Sequence, residues 1–283
     1  TLANAKRKTL RTNCVSNLRQ IGTAFIGFAN DNHGRLPWQL TPRIQKAHFG
    51  NHYADEPHVI FSTPEMKSGL GSAEILLSHC DPDRSAANEE AVARWNDYSP
   101  SFPLPPETIS YVLIEGADIA RPTTVMGATR NLSTCDIATA RWVGADEGLE
   151  EAMAMLNKNE GQILMADGSA SQSNDADLMA NGKLVANHIN SSGGIFKLAA
   201  STRVMGCDLG GGDPAASSGY CRREAGRFRR SLFQASGHCR ADAGIFSLPG
   251  RDSSPGRFYR QVLRLCGGAG NCLCRARPQH LHS

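Results

Sequence analysis

The chain has 283 residues, 40% hydrophobic and 20% charged, with a formal net charge of +3. That is length enough for one or two domains with a sizeable core. It contains no run of about 18 apolar residues, which excludes a membrane span within these residues, and no secretory signal pattern. The average conceals a seam. Residues 1–202 hold 17 Lys plus Arg against 22 Asp plus Glu, a net of −5, whereas residues 203–283 hold 13 Arg, no Lys and 5 acids, a net of +8. Cysteine divides the same way: Cys14, Cys80 and Cys135 lie before the seam, and Cys207, Cys221, Cys239, Cys266, Cys272 and Cys274 after it.

The first element is a helix. Leu10, Cys14, Leu18, Ile21, Phe25 and Phe28 recur at steps of three and four, so they share one face at a period of 3.6. Lys6, Arg7, Lys8, Arg11 and Arg19 crowd its first half, and Asn30–Gly34 followed by Pro37 marks its end. Residues 35–60, with Pro37, Trp38, Pro42 and Pro57, read as irregular. "SAEILLSHCDPD" is a short apolar stretch that ends in a proline turn at Asp81–Asp83, and residues 99–108, with four prolines, must be loop or polyproline-like. Three strand-forming segments follow: Ile109–Gly116, Thr123–Arg130 and "GQILMADGSASQS". The last is predicted as two strands hinged at Asp167-Gly168, since both residues tolerate positive φ. "DADLMANGKLVANHI" closes the segment as a short helix interrupted or capped near Gly182. Helices and strands do not alternate regularly, so the expected class is α+β, with the N-terminal amphipathic helix packed on an antiparallel sheet.

Chemistry is sparse. No Gly-x-Ser-x-Gly, phosphate loop or His-Glu-x-x-His occurs. His33, His48, His52, His58 and His79 are scattered through expected loops, and His238 stands beside Cys239 without forming a dyad by adjacency. The chain is therefore expected to be no enzyme and to carry no bound cofactor. The loops at 35–60 and 95–108 offer Trp38, Trp95 and Tyr98 as a stacking surface, so a ligand- or glycan-binding module is the alternative reading.

Four ordered motifs carry a family likeness. They are the basic patch Lys6–Lys8 with Cys14, Asn17-Leu18-Arg19-Gln20-Ile21-Gly22 and Gly34-Arg35-Leu36-Pro37; "SHCDPDR"; "ISYVLIEGADIARPTTVMGATRNLS"; and "NKNEGQILMADGSASQ". Over residues 1–200 the chain resembles type IV pilin-like proteins, the type II secretion pseudopilins of planctomycete and verrucomicrobial type. In two places it departs from that pattern. Asp81 and Pro82 stand in altered order, and Asn157 holds a position that is His in the family, nine residues before Asp167-Gly168.

The resemblance implies a structural subunit that acts by assembly. Residues 1–33 would be the lower half of the pilin helix, and residues 34–202 a headgroup on the periplasmic or extracellular side of the inner membrane. A leader and about 20 apolar anchor residues, with prepilin-type N-terminal methylation, are expected before Thr1. Lys6, Arg7, Lys8 and Arg11 would then lie just outside that span and meet lipid phosphates or acids of a neighbouring subunit. Other pilin or pseudopilin subunits and the secretion or pilus assembly machinery are the implied partners; nucleic acid is not one. Leu10, Leu18, Ile21, Phe25 and Phe28 form the assembly and packing face.

Cys14 and Cys80 are the best disulfide pair, worth on the order of 3–4 kcal/mol, or else two buried free thiols; geometry decides. Asp81, Asp83 and Asp167 are oxygen ligands of the type calcium takes, though as turn-formers they need no metal. Residues 203–283 match no family element. With thirteen Arg, thirteen Gly and abundant Cys, they read as a disordered tail or the product of a shifted reading frame.

Overall fold

The computed structural model describes residues 2–50, 56–149, 151–195, 197, 199–207, 239–241 and 244–246. The chain divides into a first unit, Thr1–Gly211, and a second, Gly212–Ser283. Within the second, the described residues are β6 (Cys239–Ala241) and β7 (Gly244–Phe246), which pair antiparallel. The remaining expectation for the tail lies outside the described residues.

The first unit opens with α1, Leu2–Asp31. It ends where the sequence places the stop. Gly34, at φ 76°, returns its N–H to the Ala29 carbonyl (2.7 Å), and Asn32 Nδ2 donates to the Phe28 carbonyl (2.9 Å). These bonds close carbonyls that the last turn leaves open.

Four short helices follow: α2 (Pro42–Phe49), α3 (Pro57–Phe61), α4 (Pro64–Leu70) and α5 (Ser85–Ala93). The first two fall in the stretch expected to be irregular. The prolines there are not breakers but starters. Pro42, Pro57 and Pro64 each stand at the first turn of a helix, where a missing N–H costs nothing and φ is already set. His48 and His58 consequently sit on helices, beside Glu65 (3.3 Å) and Glu56 (3.7 Å), rather than in loops.

The sheet is antiparallel, in the order β4-β3-β2-β1-β5, with β1 (Tyr111–Ile114), β2 (Val125–Thr129), β3 (Gly161–Met165), β4 (Ala170–Ser173) and β5 (Val204–Met205). The fold is α+β as expected. The register shifts between Val125 and Gly127, so Met126 forms a bulge in β2. β5 lies beyond residue 202 and pairs Leu113 with Met205, so the first unit runs past the charge seam. A disulfide, Cys135–Cys207, with Cα atoms 5.5 Å apart, fastens the chain beyond that strand.

Both sheet faces are covered, and the alternation along β1 shows it. Tyr111 and Leu113 face the α1 side with Leu18, Ile21, Phe25, Phe49, Phe61 and Met66. Val112 and Ile114 face a second cluster with Trp142, Ile163, Leu178 and Val185, the last from α6 (Lys183–Asn190). Phe25 meets the rings of Trp38 and Phe61 at 5.7 and 5.8 Å, tilted as aromatic quadrupoles prefer.

Candidate functional site

The expected helix face is intact. Leu18, Ile21, Phe25 and Phe28 are buried, and Leu10 packs half-buried against Cys14, Cys80, Met153 and Leu156. This face is covered by the chain's own sheet and by α4. The opposite side of α1 exposes Thr12, Asn13, Ser16, Gln20 and Thr23. Thr12 and Thr23 turn their hydroxyls onto the carbonyls one turn back, Lys8 (3.0 Å) and Arg19 (3.0 Å).

α1 lies close against the β3–β4 hairpin. Gly168 has φ 82° in the turn, and Asp167 Oδ1 accepts from the Ser169 N–H (2.8 Å). A Cβ on Gly22 would come within 2.8 Å of Leu164 and 3.2 Å of the Gly168 Cα, and one on Gly168 within 2.9 Å of Ile26. The Asp-Gly turn thus sets how near helix and hairpin approach.

The basic patch divides. Glu160, just before β3, accepts from Arg11 (2.9 Å) and has Arg7 at 4.0 Å, while its other oxygen takes the Asn157 N–H (3.0 Å). Two of the four cations expected to face lipid or a neighbour are thereby engaged within the chain; Lys6 and Lys8 are exposed. Asn157 lines a polar cleft of about 370 Å³ with Arg11, Lys158, Asn159 and Gln172.

The structure brings Cys14 and Cys80 together as buried thiols, one of the two states the sequence left open. Their Sγ atoms stand 3.5 Å apart, and Ser78 Oγ lies 2.8 Å from Cys14 Sγ while accepting the Cys80 N–H (3.1 Å). The hydrogen bond between the sulfurs lowers Cys14 to about 6 against its desolvation, with Ser78 helping, and the same bond pushes Cys80 up. The Tyr111 hydroxyl is buried beside them; burial first, then the Cys14 charge, raises it well above its ordinary range, with Asn17 and Ser78 opposing. The disulfide that does form, Cys135–Cys207, crosses the seam that separated its two cysteines in the sequence.

The three aspartates are not assembled. Among the described residues no group of three or more His, Cys, Asp or Glu could hold a metal ion. Asp81 is fully buried and grips Arg130 with both oxygens (2.7 and 2.8 Å), with Arg84 at 3.6 Å, whereas Asp167 serves its own turn. The loop aromatics are core residues. Trp38, Trp95 and Tyr98 are 8%, 9% and 4% exposed, and Trp38 Nε1 donates to the Ala117 carbonyl (3.1 Å). Their ring faces are not open to a sugar. Phe102, stacked on Tyr98 at 5.8 Å, is the exposed ring of that loop.

One buried histidine has no sequence signal. His188 accepts the Val125 N–H at Nδ1 (3.0 Å) and meets the Ser201 carbonyl at Nε2 (2.9 Å). Burial holds its pKa below the ordinary 6.5; the Ser201 bond opposes this and Arg121 adds to it.

No protein-family model matches this chain, and no curated protein or solved structure matches it significantly.

Proposed function

We propose that this chain is a structural subunit of pilin-like architecture, a pseudopilin headgroup that acts by assembly on a type II secretion or type IV pilus-like filament at the inner membrane. The observation that carries the reading is the division of α1. Of its described side chains before Cys14 none is fully buried, and they include Lys6, Arg7, Lys8 and Arg11, whereas from Cys14 to Ala29 one face is built into the core. A helix with a basic, uncovered first part and a docked second part suits a subunit whose spine continues into a neighbour-lined bundle or a lipid surface. The four sequence motifs support the same reading. Among the described residues no helix is long and apolar enough to cross a membrane; the anchor that the resemblance implies ahead of Thr1 is part of this proposal. The alternative, glycan binding by Trp38, Trp95 and Tyr98, has those rings in the core against it.

The test places a photo-reactive benzophenone side chain at Ser16 or Thr23, on the exposed side of α1, in the precursor expressed in cells. Irradiation is expected to give a ladder of cross-linked copies in the membrane fraction. Monomer alone, with the protein free of that fraction, would overturn the assembly reading.

A further inference from the structure

We propose that Cys14 and Cys80 are an internal dithiol that closes into a second disulfide, locking the middle of α1 to the loop at residues 77–81. The sulfurs are already 3.5 Å apart, and a disulfide brings them to about 2.05 Å. The backbone on both sides is held in place by other bonds. Asn17 Nδ2 donates to the Leu77 carbonyl (2.9 Å), and the Met155 N–H donates to the Cys80 carbonyl (3.1 Å). The sulfurs therefore face one another with little freedom to part. The first unit also carries Cys135–Cys207 as a disulfide, and a compartment that oxidises one pair oxidises a second pair presented at this distance.

Both thiols are buried, so the oxidant reaches them before α1 docks or when that stretch opens locally. The oxidant is a disulfide, small or protein-borne. Cys14, as a thiolate, attacks one sulfur of it, and the other leaves as a thiolate that takes up the proton Cys14 lost. Cys80 then gives up its proton and attacks Cys14 Sγ in the mixed disulfide, and the second thiol departs with that proton. Two protein thiols and one disulfide become one protein disulfide and two thiols, with two electrons passed to the oxidant.

Mass spectrometry tests this on the full chain exported to an oxidising compartment. The protein is denatured in N-ethylmaleimide without reductant and then digested. The expected product is a Cys14 peptide joined to a Cys80 peptide, two hydrogens lighter than the separate thiols, with both cysteines labelled only after dithiothreitol. Maleimide on both while Cys135 and Cys207 are joined, or Cys14 joined to a cysteine after residue 207, would overturn the proposal. In a Cys207→Ser background, oxidation is expected to raise the unfolding midpoint by roughly 8–15 °C; equal midpoints would refute the lock.

Discussion

Asp81 is a fully buried carboxylate whose two oxygens are spent on one guanidinium, that of Arg130, which is itself 14% exposed. Asp81→Asn takes the carboxylate away from Arg130 and Arg84 together at a fully buried position, and loss of a buried charged partner costs about 3–5 kcal/mol; urea unfolding is expected to show a fall of that size. His188 makes the opposite argument. Its folded pKa is depressed by burial, so the unfolded chain binds a proton that the folded chain refuses. Stability is then full above the unfolded value near 6.5 and falls as pH drops below it toward the folded value. Unfolding free energies from pH 8 to pH 5 should decline more steeply for the native chain than for His188→Gln; parallel slopes would refute the assignment. Neither residue is legible from the sequence. The Asp81 partner stands 49 positions away and the His188 partner 63, and local spacing carries no information at that range.

Elements were legible where their periodicity is local and long. The apolar steps of α1 and the Asp167-Gly168 hinge are pattern and turn chemistry, and both stand where expected. The helices α2 to α4 were hidden because five to eight residues hold barely two turns, too few for a period, and because proline signals a helix start and a break alike. How α1 and α4 meet yields a paired prediction. A Cβ on Gly69 would lie 2.9 Å from Ala24 Cβ and 3.1 Å from its Cα, whereas one on Gly27 meets nothing within 4 Å. Helix propensity alone favours alanine at either site by up to about 1 kcal/mol. At Gly69 the clash wins, and Gly69→Ala is expected to cost about 1–3 kcal/mol. Gly27→Ala, unopposed, is expected to gain about 0.5–1 kcal/mol. Thermal unfolding of the two variants side by side decides it.

At the scale of the first unit, the charge seam at residue 202 marks composition, while the sheet runs on to Met205 and the disulfide to Cys207. β5 has two residues, too few to show as a strand in sequence. Its attachment combines two ladder pairs, the buried Val204 and Met205, and the disulfide just beyond. Cys207→Ser opens a link that spans 72 positions, and loop entropy puts the loss at about 4 kcal/mol. Chemical denaturation of the variant beside the native chain, both unreduced, is expected to show that loss and the earlier release of β5.

The length of α1 has a mechanical consequence. Thirty residues make a rod of about 45 Å, gripped from its middle onward by a hairpin, a short helix and, when closed, a sulfur bridge. A pull on its N-terminal end along the axis loads all of these grips together, in shear. A sideways pull would peel them off one after another. Those grips therefore resist a load along the helix axis better than one across it, and rupture under an axial load is set by the slowest of them to yield.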